Sequence, residues 1–289
     1  MLLSVRELEG FTIGAIDGDI GSVHDVYFDD QSWTVRYQVV DTGTWLPGRR
    51  VLISPMSVRE PSWSDQRLRV ELTRDQIQNS PDVDTAKSIS RESEEALVRH
   101  YGLDPYWFGP HRWGAVAYPY PYGPVVPPLG DPVPAVDPET SRALEREGWQ
   151  NVGPEHVEEK HLPEERRVDA HLRSAREVMG YDIQALDGGI GHVEDFLLDD
   201  RSWAIRYLIV DTRNWLPGKK VVIAPEWVEE VSWSDSKVVV SLTRDQIEHS
   251  PEYDPSRPLE REDESRLYQH YGRPTYWERE NPEDRDRAA

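Results

Sequence analysis

Two stretches of the chain carry the same alternation of apolar and polar residues. Setting Gly10 against Gly180 gives an offset of 180 − 10 = 170 residues, and this offset continues without a gap to Trp107 and Trp277. About half of the aligned positions are identical. Because only two copies occur, the pattern predicts tandem globular modules, since a solenoid usually needs about three or more repeats.

Short alternating runs predict that each copy is built from β-strands. In the first copy the runs cover residues 23–28, 33–40, 50–53, 58–63 and 67–72, after an opening apolar run that ends at an Asp-Gly pair. About six short strands with turns between them are typical of a small barrel. The predicted fold is therefore mainly β, with two small β-barrels that carry short appended helices.

Glycine and aspartate predict where the chain turns. We interpret two equivalent segments as tight hairpin turns, because Asp-Gly supplies the positive φ values that such turns need. The residues assigned to these turns are Asp17, Gly18, Gly21, Asp187, Gly188 and Gly191.

Two short helices are predicted after the strands of each copy. Thr73 and Gln76 form the capping-box pattern of one helix, and Gly102 is a typical stop for a second helix over residues 92–101. The second copy repeats these signals.

The domain organisation follows from the duplication. We assign residues 1–103 to the first copy, 104–170 to a linker, 171–277 to the second copy and 278–289 to a charged tail. The first part of the linker interleaves many of the 23 prolines with aromatic residues, and further along it becomes charged. Proline favours a stiff, extended segment. The aromatic content predicts that this segment lies against a barrel, with a partner-binding strip as the alternative.

Charge and composition exclude several classes of function. The net charge is −21 and the isoelectric point is about 4.8, which argues against binding to nucleic acid or to anionic lipid. No apolar run reaches the roughly 18 residues that span a bilayer, so we expect no transmembrane segment. The chain has no cysteine, and the N-terminal residues do not form a signal peptide. We therefore expect a cytoplasmic protein.

Three motifs resemble those of the PRC-barrel family. They are the Asp-Gly-x-Ile-Gly-x-Val-x-Asp segment from Asp17, the Trp-x-x-Arg-Tyr-x-x-Val-Asp-Thr strand from Trp33, and the Trp-Leu-Pro-Gly turn from Trp45. The family includes the cytoplasmic domain of the photosynthetic reaction-centre H subunit and the C-terminal domain of the small-subunit ribosome maturation factor. The resemblance covers both copies and is specific to bacterial tandem proteins. It implies β-barrels that bind protein partners without catalytic residues.

The sequence offers little that predicts chemistry. Starting from Asp17, the calcium-loop pattern fails because Gly21 and Phe28 stand where oxygen ligands are needed. Phosphate-binding, dinucleotide-binding and hydrolase motifs are absent from the sequence. We therefore expect no catalytic residue, no cofactor and no metal, and we expect that the protein is not an enzyme.

The best candidate for a binding surface is the tryptophan turn of each copy. Tryptophan is enriched at binding hot spots. Basic residues follow each turn and give it local positive charge. The alternative interpretation is a solvated strand edge that these basic residues protect against aggregation. The candidate residues, for partner binding or for contact between the copies, are Trp45, Leu46, Pro47, Trp215, Leu216 and Pro217.

Taken together, these features predict a non-enzymatic protein-binding or assembly module. Its partner is unknown, and we expect the two copies to pack on each other as a pseudo-symmetric pair that imitates a homodimer. A homo-oligomer of the whole chain stays open. The alternative function is a ligand- or ion-responsive stress sensor that uses acidic loops such as Asp29-Asp30 and Asp199-Asp200. A third hypothesis is a hydrolase that uses histidines of the linker and the barrels.

Overall fold

The chain is mainly β, as the alternation predicts. The computed structural model describes residues 1–83, 89–108, 111–114, 116–119, 172–212 and 219–280. All of these residues belong to one compact unit. Their strands form two sheets, one for each copy of the repeat.

The first copy begins with a strand and a one-turn helix that precede the predicted strands. In its described residues the strands are β1 (Leu2–Ser4), β2 (Thr12–Ala15), β3 (Gly18–Asp29), β4 (Thr34–Asp41), β5 (Arg50–Ile53), β6 (Val58–Ser62) and β7 (Arg67–Val70). The α-helices are α1 (Val5–Leu8), α2 (Arg74–Gln78) and α3 (Arg91–Tyr101), and a 3-10 turn covers Pro55–Ser57.

The second copy repeats these elements in the same order. Its strands are β8 (Leu172–Ser174), β9 (Asp182–Ala185), β10 (Gly188–Asp199), β11 (Ile205–Asp211), β12 (Lys220–Ile223), β13 (Val228–Ser232) and β14 (Lys237–Val240). Its helices are α4 (Ala175–Val178), α5 (Arg244–Glu248), α6 (Arg261–Tyr271) and α7 (Tyr276–Glu280), with a 3-10 turn over Pro225–Trp227.

Strand order is the same in both sheets. The first sheet runs β5-β4-β3-β2-β7-β6, and the second runs β12-β11-β10-β9-β14-β13. Neighbouring strands are antiparallel, except that β2 pairs in parallel with β7 and β9 pairs in parallel with β14. The long strands β3 and β10 lie inside the sheets, and each pairs with two neighbouring strands of its own copy.

The helix signals in the sequence are confirmed. Thr73 and Gln76 form a reciprocal capping box at the start of α2, and Gly102 ends α3 in the left-handed conformation with φ 65°, which glycine adopts without a steric penalty. Within the described ranges, no helix has the length and apolar character that crossing a membrane requires.

The first strand of each copy pairs with the sheet of the other copy. Strand β1 lies antiparallel to β10, with Leu3 opposite Leu198. Strand β8 lies antiparallel to β3 in the same way, with Arg173 opposite Phe28. Each sheet is therefore completed by a strand from the other copy, and the exchange is reciprocal.

A serine and a buried aspartate secure each exchanged strand. Ser174 caps helix α4 by accepting a hydrogen bond from the backbone N–H of Glu177 at 3.1 Å, and it donates its hydroxyl proton to Asp25 of the first copy at 2.5 Å. The N–H of Arg176 also donates to Asp25, at 3.2 Å. Burial raises the pKa of Asp25, and these hydrogen bonds partly offset that effect.

The equivalent contact repeats the arrangement at the other strand. Ser4 donates to Asp195, and the N–H of Arg6 donates to the same carboxylate at 3.2 Å. Burial likewise raises the pKa of Asp195. The two contacts make the exchange symmetric in its side chains as well as in its backbone.

Two tryptophans bring the backbones of the copies together near the pseudo-two-fold axis. The N–H of Val35 donates to the carbonyl of Trp203 at 2.9 Å, and the N–H of Ile205 donates to the carbonyl of Trp33 at 2.7 Å. Trp33 and Trp203 have φ values of 48° and 58°, which are uncommon outside glycine. Both residues precede their strands instead of lying inside them, so the strand predicted over residues 33–40 begins one residue later.

The hairpin turn in each copy is shorter than the segment that the sequence suggested. The chain turns at Ile16 and Asp17, and Gly18 opens β3. Gly21 lies within β3, beside a register shift in its pairing with β2. A Cβ atom on Gly21 would lie 2.0 Å from the carbonyl oxygen of Asp41. Gly21 is therefore required for the close approach of β3 and β4, not for the turn.

The same holds for the second copy. Asp187 lies in the turn and Gly188 opens β10, whereas Gly191 lies within β10. A Cβ atom on Gly191 would lie 2.0 Å from the carbonyl oxygen of Asp211.

We predict that Gly21→Ala lowers the free energy of unfolding by about 3 kcal/mol, because the new methyl group overlaps a backbone carbonyl. Gly43→Ala is the control, since Gly43 also has a positive φ of 54° but has no atom within 4 Å of an added Cβ. Gly43→Ala should therefore lower the free energy of unfolding by only about 1 kcal/mol, which is the strain of the left-handed conformation. Urea unfolding of both variants measures the difference, and equal losses would refute the close-approach argument.

We also predict that Ser174→Ala destabilises the protein by about 2 kcal/mol, because it removes a helix cap and the hydroxyl that donates to the buried Asp25 carboxylate, whose remaining donors are backbone N–H groups. Ser90→Ala is the matched control. Ser90 caps α3 through the N–H of Ser93 at 3.2 Å, within one copy, and its loss should remove about 1 kcal/mol. If the two variants unfold at the same urea concentration, the contact with Asp25 adds no stability.

Candidate functional site

The tryptophan turn of the first copy is held by its own backbone. The hydroxyl of Thr42 lies 2.7 Å from the carbonyl oxygens of both Leu46 and Arg49 and can donate to either. The N–H of Trp45 donates to the carbonyl of Thr42 at 3.1 Å. This network fixes the position of the Trp45 side chain, which is half-buried.

An arginine joins this turn to the β2–β3 hairpin. The guanidinium carbon of Arg74 lies 4.7 Å from the centre of the Trp45 ring, within the range of a cation–π contact. The backbone N–H of Arg74 donates to Asp17 at 2.8 Å. The Asp17 carboxylate therefore accepts a hydrogen bond at the start of α2, and the same residue lies in the hairpin turn.

The residue at the tip of the hairpin is apolar and exposed. Ile16 has 70% of its surface accessible, and its own N–H is hydrogen-bonded to the carbonyl of Leu72. Ile16, Trp45 and Arg74 define what we call the tip patch of the first copy. An isoleucine held rigidly in solvent gains nothing for the fold, so the patch is a candidate for binding.

The second copy presents an equivalent tip. Leu186 is 60% exposed at the position that corresponds to Ile16, and the N–H of Arg244 donates to Asp187 at 2.7 Å. Leu186 and Arg244 define the tip patch of the second copy. The predicted candidates Trp215, Leu216 and Pro217 lie outside the described residues.

The remaining residues of the first turn differ in exposure. Leu46 is half-buried, and Pro47 is exposed beside it. Both lie next to Trp45 in the chain, at the edge of the tip patch.

The basic residue after each turn contacts a helix end. Arg49 donates to the carbonyl of Ser80 at 2.5 Å, and Lys219 donates to the carbonyl of Ser250 at 2.8 Å. Both carbonyls follow the last turn of a short helix, where cations are stabilised. Burial lowers the pKa of Lys219. Arg49 therefore joins the first turn to the end of α2, and Lys219 makes the equivalent contact at the end of α5.

The contact between the copies lies at the far end of β4 from the tryptophan turn. Thr34, at the start of β4, bridges to Ala204, whereas the turn follows Asp41 at its end. Eight strand residues separate these two places by roughly 23 Å. The copies are joined through their exchanged strands, and the tryptophan turn of the first copy lies at the other end of β4 from that junction.

A short part of the linker packs across the junction. The Arg112 guanidinium donates to the carbonyl of Ser32 at 2.7 Å. The adjacent Trp113 is buried, and its indole N–H donates to the carbonyl of Ser202 at 2.9 Å. Ser32 and Ser202 are equivalent positions of the two copies. Two neighbouring linker residues thus bind equivalent carbonyls on opposite sides of the axis.

The acidic loops are used in local and inter-copy contacts. Asp29 accepts hydrogen bonds from the N–H groups of Gln31 and Ser32, and Asp30 pairs with Arg173 of the other copy at 2.9 Å. The N–H of Asp200 donates to the carbonyl of Met1. In the part of the chain that the structure describes, no group of three or more His, Cys, Asp or Glu residues forms a metal site.

Asp199 shows how its loop is held. Burial raises the pKa of Asp199, but hydrogen bonds from Ser202 and the Arg206 cation outweigh burial and lower it overall. Its carboxylate is therefore stabilised in the charged form by the turn that it caps.

Ile16 and Leu186 are absent from the residues that the sequence singled out. A signal was present, because an apolar residue stands directly before Asp-Gly in both copies. It was overlooked because an apolar residue at the end of an apolar run is ordinarily part of the core, and only the fold shows that the hairpin extends beyond its sheet.

We predict that Ile16→Ser combined with Leu186→Ser changes the free energy of unfolding by less than about 0.5 kcal/mol, because both side chains are exposed. Ile13→Ser, in the same hairpin, is the buried control, since Ile13 has none of its surface accessible. It should destabilise the protein by more than about 2 kcal/mol. Thermal and urea unfolding measure both. A marked loss in the double variant would mean that the tips contribute to the fold.

Comparisons with known proteins add no family assignment. No protein-family model matches the chain, and no curated protein matches it. The geometry of the described residues is therefore the basis for a functional proposal.

Proposed function

We propose that the chain is a non-enzymatic protein-binding or assembly module that offers two equivalent surfaces to its partner. One observation carries this proposal: the same hairpin tip exposes a large apolar residue in both copies, Ile16 at 70% and Leu186 at 60%. Two exposures of this kind at equivalent positions are difficult to attribute to chance. Contiguous exposed apolar patches that are rimmed by polar residues are typical of protein interaction sites.

The tip patch has the composition of a binding hot spot. It combines an exposed aliphatic residue with a tryptophan and an arginine, and the last two are residue types that are enriched at hot spots. The Arg74 guanidinium is stacked on Trp45 at 4.7 Å, so both side chains are restrained before a partner arrives. Restraint of this kind lowers the entropy that binding must remove.

The reciprocal strand exchange supports a bivalent mode of binding. Because β1 and β8 each complete the opposite sheet, the two tips are carried by one compact unit. A partner that contacts both tips gains the affinity of an intramolecular second contact, which can raise apparent affinity by about 100-fold or more.

A relationship to PRC barrels is part of the proposal. The end strands of the first sheet, β5 and β6, are consecutive in the chain and are joined only through the short turn over Pro55–Ser57. The equivalent end strands β12 and β13 are joined through Pro225–Trp227. Short connections between the two ends of a sheet favour a barrel-like closure. The motifs from Asp17, Trp33 and Trp45 support the same family.

The positions of two histidines favour binding over catalysis. The Nε2 atom of His100 lies 2.7 Å from the carbonyl oxygen of Gln76, and that of His270 lies 2.7 Å from the carbonyl oxygen of Gln246. Each histidine joins the longer helix of its copy to the shorter one. Each histidine therefore has a structural role as a link between two helices, and this role supports a non-enzymatic function.

We predict that Ile16→Ser with Leu186→Ser abolishes the capture of a partner by the full chain, because it removes the apolar centre of both patches. The immobilised wild-type chain is incubated with an extract of the native cell, and the retained proteins are quantified by mass spectrometry. Trp45→Ala with Trp215→Ala should lose the same protein. Either copy changed alone should weaken retention by about tenfold or more if the partner contacts both tips.

Phe108→Ser is the control for this experiment. Phe108 is 69% exposed and apolar but lies in the linker, outside both tip patches. Retention that persists in this variant and disappears in the tip variants supports the proposal. The same set of proteins on every variant would refute it.

A further inference from the structure

Two clefts flank the junction of the copies, one beside each copy. The cleft beside the second copy has a volume of ≈ 380 Å³ and is lined by Arg206, Arg261, Tyr276 and Trp277. The cleft beside the first copy has a volume of ≈ 440 Å³ and is lined by the equivalent residues Arg36, Arg91, Tyr106 and Trp107. Arg112 of the linker lines both.

The two clefts differ at one equivalent position. Arg201 lines the cleft of the second copy, where Gln31 lines that of the first. We call them the Arg201 cleft and the Gln31 cleft. The duplication thus supplies a comparison in which the residues from the repeats differ by one cation, while the linker residues Ala117 and Tyr118 line only the Arg201 cleft.

The Arg201 cleft concentrates positive charge in an acidic protein. Among the described residues that line it are four arginines, namely Arg112, Arg201, Arg206 and Arg261, and one carboxylate, that of Asp199. The whole chain has 33 basic and 54 acidic residues. Exposed charges farther away than about 8 Å are screened at physiological ionic strength, so the nearby arginines determine the potential inside the cleft.

The acidic groups near the cleft are engaged with protein donors. Asp199 accepts hydrogen bonds from the N–H groups of Ser202 at 2.7 Å and Arg201 at 3.1 Å. Glu264 lies 3.1 Å from the Nη1 atom of Arg261. Among the described residues, Asp199 and Glu264 are thus each bound to donors of the protein itself.

Aromatic rings fix the planes of the arginines. The guanidinium of Arg206 lies 4.0 Å from the ring centre of Tyr276, and that of Arg261 lies 4.0 Å from the ring centre of Trp277. Arg201 lies 5.1 Å from the ring centre of Tyr118. Stacking orients a guanidinium through its face, whereas hydrogen bonds to an oxyanion use its edge. The rings therefore orient the arginines without competing for an oxyanion.

We propose that the Arg201 cleft binds the phosphate group of a small molecule. Arg201 and Arg261 are exposed enough to donate hydrogen bonds to it, and the more buried Arg206 adds charge from within the cleft. Several arginines that line one cleft suit the three oxygens of a dianionic phosphate better than a single carboxylate. The Gln31 cleft has one cation fewer and binds the same group more weakly.

This site is independent of the tip patches and of the partner proposed for them. It is formed by the loop before β11, the start of α6, the start of α7 and the linker around Arg112, whereas the patches lie at the hairpin tips. Either proposal can therefore fail without the other.

The test is calorimetric titration of the full chain with inorganic phosphate at constant ionic strength. We expect one saturable site in the wild-type protein. Arg201→Gln, which installs the residue of the first copy, should weaken binding by about tenfold, because one charge-assisted contact is lost. Gln31→Arg, the reciprocal change, should raise the stoichiometry from one phosphate to two.

Arg59→Gln is the control for net charge. Arg59 is exposed, pairs with Glu71 outside the cleft, and its replacement removes the same charge as Arg201→Gln. It should leave phosphate affinity unchanged within about twofold. No saturable binding by the wild-type chain, or equal weakening in Arg59→Gln and Arg201→Gln, would overturn the proposal. A site that binds citrate but not phosphate would also overturn it.

Discussion

The exchange of the first strands is the constraint on which the rest of the structure depends. A strand of three residues cannot form a stable pair on its own, and each of β1 and β8 is stabilised only against the opposite sheet. The helix that follows each strand is capped by a serine that also binds a buried aspartate of the other copy. Burying Asp25 and Asp195 is unfavourable unless their oxygens find donors. Each carboxylate accepts one hydrogen bond from the next backbone N–H of its own copy and further hydrogen bonds from the other copy, so neither copy satisfies its aspartate fully by itself.

The linker breaks the symmetry that the exchange creates. The equivalent carbonyls of Ser32 and Ser202 accept hydrogen bonds from two different side chains, those of Arg112 and Trp113. One linker residue cannot occupy two equivalent positions, so different side chains contact the two sides. The surroundings of the two clefts therefore differ, even where their lining residues are equivalent.

The duplication allows the copies to diverge at chosen positions while the frame stays the same. The hairpin tips keep an exposed aliphatic residue in both copies, which suits a partner that contacts two equivalent surfaces. The clefts differ at Gln31 and Arg201, which suits one ligand for each chain. In a homodimer of identical subunits, a substitution in one cleft would also occur in the other, since each sequence position is present in both subunits.

The sequence by itself determined the duplication, the mainly β character and the local signals of the helices. Capping at Thr73 and termination at Gly102 depend on residues close in the chain, so the sequence pattern contains them. The short strands β1 and β8 gave no such signal, because the partner of Leu3 is Leu198 and periodicity reports only neighbouring residues. The contact of Gly21 with Asp41, the exposure of Ile16 and the meeting of Arg206, Arg261 and Tyr276 were decided by tertiary structure. Each depends on which distant segments the fold brings within a few ångströms.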